Sequence, residues 1–324
     1  MDNSRREFAL IERFFRHRGP VRRDVRIHAG DDAAVLAPPP QSHIAVTTDT
    51  MVAGVHFDHH LSPHAIGHKL VTVNMSDLAA MGAEPAWASL ALTLPEYDET
   101  WLEGFTEGLF AALDFFNCAL VGGDITRGPM TLTITAQGLL PNDRALTRSG
   151  AQPGDTIFVS GTLGDAALAL ALQHDPTAFN ANDTQRDALE KRLFYPTARV
   201  MLGTLIRNQA SSAIDLSDGL GGDLTHILSA SKVGARIHLD ALPASAALDA
   251  LVQGEARWKL QLFGGDDYEL CFTVPQSRLG VFETMSKHAG VAVSPIGVIE
   301  KEPGLRFEAK KKQVEFTASS YSHF

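Results

Sequence analysis

One unit recurs in both halves of this chain and constrains it more than any other feature. It is a short apolar run with strand character, closed by an aspartate beside glycine or a hydroxyl, and followed by a helical stretch. Its fullest copy is Ile44 to Phe57, IAVTTDTMVAGVHF. Ile44 and Val46 alternate with smaller residues, as in a short strand. The run then presents Thr47, Thr48 and Asp49, three oxygen-bearing side chains in a row. Gly54 loosens the turn beyond them and His56 follows. A strand that delivers an acid and hydroxyls into a loop is a common holder of a hard cation or a phosphate. For any one copy, a polar turn with a solvated aspartate is the plainer alternative. Strands and helices alternate to the end of the chain, which predicts an α/β or α+β fold with no solenoid repeat. A chain of 324 residues exceeds one usual core. Two domains are therefore expected, 1–148 and 149–324, meeting in the polar stretch PNDRALTRSGAQPGD.

Between these loops the elements are readable. Phe8, Ile11 and Phe15 fall at helical spacing in a charged N-terminal stretch, which predicts an amphipathic helix rather than a signal peptide. Ser62-Pro63 reads as an N-cap with proline at the first helical position, and Gly82 closes that helix after Met81. Asp77 lies four residues from both Val73 and Met81, so helix geometry sets it on the buried stripe. An unpaired buried carboxylate is costly. An arginine or a metal should meet it, and the nearby Lys69 is on another face. Trp87 to Leu94 and Cys118 to Val121 read as strands, the second ending in Gly122-Gly123-Asp124. A helix is expected over 185–208, and a last one over 276–289. Ala213 to Gly219 is a strand end carrying Asp215, Ser217 and Asp218 into the helix 220–231.

Asp31/Asp32, Asp49, Asp124, Asp215/Asp218 and Asp266/Asp267 thus set an acid beside glycine or a hydroxyl at a strand end, and Asp77 sets one on a buried helix face. If these loops converge, two like charges at ~4 Å repel by roughly 4 kcal/mol at an effective dielectric of ~20. Either divalent cations or protons must neutralise them. All-oxygen ligands select Mg²⁺ or Mn²⁺ over zinc, and no His/Cys cluster at metal spacing competes. Mg²⁺ shares its shell readily with phosphates, which points to a nucleotide-phosphate site where cations rather than lysines hold the anion. A GxxxxGK[ST] loop, a GxGxxG after a strand, kinase HRD and DFG signatures and a GxSxG elbow are all absent. A net charge of −10 without any Lys/Arg block argues against nucleic acid. No apolar run approaches the ~18 residues of a membrane span. Cys118 and Cys271 sit in apolar runs as buried thiols, which suits a cytoplasmic protein.

GDDAAV at 30–35, TTDTMVAGVHF at 47–57, NMSDLAAMGAEP at 74–85 and VGGDITRGP at 121–129 together resemble the thiamine-monophosphate kinase family. So do RALTRSGAQPGD at 144–155, AIDLSDGL at 213–220 and GGDDYEL at 264–270. That family lies in the PurM-like ATP-binding superfamily of aminoimidazole ribonucleotide synthetase. The resemblance implies a two-domain PurM-like fold, with an N-terminal sheet pairing across a homodimer and a C-terminal α/β domain closing over the nucleotide. It implies that Asp32, Thr47, Thr48, Asp49, Asp77, Asp124, Asp215 and Asp218 coordinate several Mg²⁺ ions. By the same resemblance Gly123, Asp124, Arg148 and Ser217 contact ATP, and His56 and Asp266 contact thiamine monophosphate. Two positions depart from the family pattern: Asp266 replaces a glutamate, and Ala318 replaces an aromatic residue for which Phe316 or Tyr321 can compensate. The implied reaction is direct in-line transfer between phosphates with no protein nucleophile. Another enzyme of the superfamily, or a non-catalytic nucleotide-binding maturation factor, is the alternative.

Overall fold

A computed structural model of the chain describes residues 3–16, 18–142 and 144–316. Ala318 and Tyr321 lie outside the described residues. The chain divides into two units, one of residues 1–78 and 83–143, the other of 79–82 and 144–324.

The first unit runs α1 (Asn3–Phe14), β1 (Val25–Ile27), β2 (Val35–Leu36), β3 (Ser42–Val52), α2 (Pro63–Ala80), β4 (Glu84–Leu94), α3 (Glu99–Phe115), β5 (Ala119–Arg127) and β6 (Thr131–Pro141). Its four-stranded sheet has the order β3-β6-β4-β5, with only β4 and β5 parallel. Along β6, Leu132, Ile134 and Ala136 are buried while Thr131, Thr133 and Thr135 are half-buried, the two-residue period of a sheet with one core face. Leu78 of α2 reaches that sheet beside Gly138. Helices α2 and α3 cross at two glycines. A Cβ on Gly67 would lie 2.2 Å from the Phe105 carbonyl oxygen, and one on Gly108 1.9 Å from the His64 carbonyl oxygen.

Two expected loops prove to be strand. Thr47 to Asp49 lie in the middle of β3 rather than beyond its end. The threonines continue the pairing, because Thr48 and Thr50 exchange hydroxyl hydrogen bonds with Thr135 and Thr133 across β6, each at 2.9 Å. Likewise β5 runs through Gly122–Asp124 to Arg127, paired with β4 along the whole stretch. Gly123 is required there, since a Cβ would sit 2.1 Å from the Leu90 carbonyl.

The second unit comprises β7 (Thr156–Ser160), α4 (Asp165–His174), α5 (Asp183–Phe194), α6 (Val200–Ile206), β8 (Ser212–Asp215), α7 (Leu220–Ser231), β9 (Gly234–His238), α8 (Ala246–Leu251) and α9 (Gly254–Phe263). It continues with β10 (Leu270–Val274), α10 (Leu279–Ser286), β11 (Val293–Glu300), β12 (Gly304–Ala309) and β13 (Lys312–Val314). Its seven strands are ordered β13-β12-β9-β11-β7-β10-β8, and only β9 and β12 are parallel. The single helix expected over 185–208 is two. Pro196 has no amide to donate and restricts Tyr195, so α5 stops at Phe194 and α6 begins at Val200. The last helix is shorter than expected, with a 3₁₀ turn over Gln276–Arg278 ahead of α10. Both cysteines are free and buried, and burial pushes the Cys118 thiol up to about 12. Among the described residues no helix is long and apolar enough to cross a membrane.

Candidate functional site

In the first unit, β3 and α2 bring two carboxylates together. Thr47 and Asp49 alternate onto the face of β3 that α2 covers. The Thr47 hydroxyl donates to Asp77 Oδ2 at 2.5 Å. The Asp49 amide donates to Asn74 Oδ1 at 3.2 Å, and Asn74 Nδ2 donates to the Leu70 carbonyl at 3.0 Å. Burial, then the charge of Asp77, then a side-chain hydrogen bond with it push the Asp49 carboxyl up to about 7. Asp77 is half-buried, as its helical position requires, and it is met by a hydroxyl and a second acid rather than by an arginine. An all-oxygen donor set in which one acid raises the other's pKa suits a hard dication, which would replace the shared proton. The Thr48 side chain points to the opposite face of β3, toward Thr135.

Asp32, Gly123 and Asp124 line a second feature of this unit, a cleft of about 750 Å³ between α1, the 29–34 loop and β5. That volume is ample for a nucleotide-sized ligand. Gly30 turns the loop with φ +121°, and the Asp32 amide donates to Asp31 Oδ1 at 2.9 Å. Arg16 lines the same cleft above Gly30 and pairs with Glu12 at 2.7 Å. It escaped the sequence reading because nothing local ties α1 to the GDD loop. His56 follows β3 in the turn at Gly54, and its Nδ1 accepts the Val52 amide at 3.1 Å. That bond puts the neutral ring's proton on Nε2.

In the second unit the predicted residues fall on two interlocked loops. Asp215 ends β8 and is buried, while Ser217 and Asp218 form the turn into α7. Asp223, in the first turn of α7, accepts the Asp218 amide at 3.1 Å. Burial and then the Asp218 charge push Asp223 up to about 7 against the lowering effect of the amides of 217–219. Asp223 was missed, although an acid in a helix's first turn is a recognised companion of the dipole. The Asp266 amide donates to the Ser217 carbonyl at 2.9 Å, the Tyr268 amide to Leu216 at 2.8 Å, and the Leu216 amide to Glu269 at 2.8 Å. Asp267 belongs to the interior. It accepts the Gly164 amide at 3.0 Å, and burial holds its carboxyl well above the usual range. Glu269, fully buried, is gripped by Arg192 at 2.8 Å, Arg199 at 2.7 Å and the Ser160 hydroxyl at 2.5 Å. Arg148 is exposed, with its carbonyl bonded by Ser231. Among the described residues no three His, Cys, Asp or Glu side chains gather to hold a metal unaided.

Residues 30–140 match the family described as AIR synthase related protein, N-terminal domain, and residues 152–310 its C-terminal domain. The thiamine-monophosphate kinase of Escherichia coli (strain K12) is 47% identical over 320 residues, covering 98% of this chain and 98% of that protein. The crystal structure of thiamine-monophosphate kinase from Stenotrophomonas maltophilia K279a is similar with a TM-score of 0.84 and 43% identity, covering 90% of this chain and 93% of that one. A structure of AaThiL complexed with AMPPCP and TMP is similar with a TM-score of 0.78 and 31% identity, covering 100% of this chain and 99% of that one.

Proposed function

We propose that this chain, which belongs to the thiamine-monophosphate kinase family, transfers the terminal phosphoryl group of ATP to the phosphate of thiamine monophosphate, giving thiamine diphosphate and ADP. The observation that carries this is the 47% identity to an enzyme of that name over 98% of both chains. The acceptor is a phosphate oxygen that is already anionic, so no general base is needed. Neither cysteine offers itself as a nucleophile, both being buried. The transfer in this reading is direct, with no phosphoenzyme, because bringing two anionic phosphates together calls for charge neutralisation and alignment rather than a protein nucleophile.

Asp32, Asp49, Asp77 and Asp124 with the hydroxyls of Thr47 and Thr48 in the first unit, and Asp215 and Asp218 in the second, would hold several Mg²⁺ ions. Thr48 would act from the opposite face of its strand. What supports this is the Asp49–Asp77 pair, whose oxygen donors suit a dication. Magnesium, when bound, neutralises the repulsion between the two phosphate groups and aids their in-line alignment. Gly123, Asp124, Arg148 and Ser217 would bind ATP, Gly123 by letting the backbone come close. His56 would donate from Nε2 to the acceptor substrate, and Asp266 would take its organic part. Residues 1–148 would act as the magnesium–nucleotide domain and 149–324 as its α/β partner. Ile44 and Val46, 45% and 63% exposed on the outer face of β3, suit a sheet that pairs with a second copy in a homodimer. The setting is cytoplasmic, without nucleic acid or membrane.

The test is ADP release from ATP and Mg²⁺ with and without thiamine monophosphate. Stimulation by that substrate, with thiamine diphosphate as product, is expected. Absence of stimulation rejects the reading.

A further inference from the structure

The loop at 264–270 carries more machinery than the transfer of a phosphoryl group requires. Asp266 and Tyr268 both hold positive φ, +67° and +49°. Residues other than glycine rarely adopt that conformation, and it persists where the surroundings enforce it. Here the enforcement is visible on three sides. The amides of Asp266 and Tyr268 are bonded to the carbonyls of Ser217 and Leu216, at 2.9 and 2.8 Å. Gly265 and Gly219 admit no side chain, because a Cβ on each would lie 2.4 Å from the Ser217 carbonyl and 2.7 Å from the Gly264 carbonyl. The residues that alternate with Asp266 and Tyr268 are buried acids with fixed partners, Asp267 on the Gly164 amide and Glu269 between two arginines. The backbone is thus held before any ligand arrives.

That leaves the Asp266 side chain, and it too is held. The Tyr268 hydroxyl donates to Asp266 Oδ1 at 2.9 Å, two residues along the same loop. The bond takes one of the acceptor directions of a carboxylate and fixes the plane of the group, while both side chains remain half-buried rather than sealed in the core. A structural tyrosine would serve as well with its hydroxyl in water or on a carbonyl. This one orients a neighbouring acid.

We propose that Tyr268 is a positioning residue for the acceptor substrate. Its hydroxyl sets the Asp266 carboxylate toward the organic part of thiamine monophosphate, which carries a fixed positive charge on the thiazolium ring and an amino group on the pyrimidine. This rests on the assignment of Asp266 made under the proposed function. Since Asp266 is one methylene shorter than the glutamate usual in the family, its reach depends more strictly on its orientation. The phenol supplies that orientation.

The test uses Tyr268→Phe, which keeps the ring and removes only the hydroxyl. At saturating Mg²⁺ and ATP, the KM for thiamine monophosphate rises about tenfold, the scale of one hydrogen bond to a charged group. kcat, the KM for ATP and the melting midpoint stay near the wild-type values. Asp266→Asn also raises the KM for thiamine monophosphate, and adding Tyr268→Phe to it produces no further rise, because the tyrosine acts through the acid. An unchanged KM for thiamine monophosphate in Tyr268→Phe overturns the proposal, as does an equal rise in the KM for ATP or an additive double variant. Calorimetric titration of thiamine monophosphate into the chain with Mg²⁺ and a non-hydrolysable ATP analogue separates the two levels. If the wild type does not bind, the kinase reading falls and takes this proposal with it. If the wild type binds and Tyr268→Phe binds equally well, only the role of Tyr268 falls.

Discussion

The Asp49–Asp77 pair makes a prediction that runs against the usual effect of a substitution in a well-packed region. Burial and the neighbouring acid move Asp49 from 3.8 to about 7, which at 1.36 kcal/mol per pH unit bounds the destabilisation of the metal-free chain at about 4 kcal/mol. The sign follows from linkage. Below the unfolded value of 3.8 both states are protonated and nothing is lost. Between 3.8 and about 7 the unfolded chain ionises while the folded one does not, so stability falls as pH rises. Above about 7 the deficit stays constant. Burial is the larger cause of the shift and the charge of Asp77 the second, so Asp77→Asn returns only a part of that bound, on the order of 1 kcal/mol. For a unit of this size that is a rise of about 2–4 °C in melting midpoint at pH 8 without metal. Asparagine keeps an acceptor for the Thr47 hydroxyl. The same variant loses the stabilisation that Mg²⁺ and ATP give the wild type, with ATP affinity down tenfold or more. Differential scanning fluorimetry at pH 5 and pH 8, with and without Mg²⁺ and ATP, reads both effects. A variant less stable than wild type at pH 8 without metal, yet still stabilised by Mg²⁺ and ATP, would refute the reasoning.

Glu269→Gln removes the buried charge that Arg192 and Arg199 share, leaving Arg192 only Asp165 at 3.9 Å, and should cost about 3 kcal/mol, read as a lower urea midpoint with no change in slope. Val46→Lys places a charge on the exposed face of β3 and should shift a homodimer to monomer in light scattering. An unaltered mass removes that face from the interface.

How much the sequence disclosed depended on whether a signal was local. The position of Asp77 on α2 followed from helical spacing alone, and α7 spans Leu220–Ser231, the stretch expected for it. The extents of β3 and β5 did not follow, because the partners that extend them, Thr133 and Thr135 on β6 and the whole of β4, lie elsewhere in the chain. Once Thr47 to Asp49 are strand, the two-residue period separates Thr48 from its neighbours, a separation a loop would have hidden. Pro196 was in plain view and should have divided the helix over 185–208. The Arg199–Glu269 contact spans 70 residues and leaves no local trace.

The crossing at Gly67 and Gly108 has a reach beyond the two helices that meet there. With carbonyls pressed against bare α-carbons, α2 can neither slide along α3 nor roll upon it without driving main chain into main chain. At 1.5 Å per residue, Gly67 lies about 15 Å along the axis from Asp77. The crossing therefore fixes α2 at a point remote from its acid, and a single added methyl there would displace the helix that carries Asp77 toward Thr47 without touching either residue.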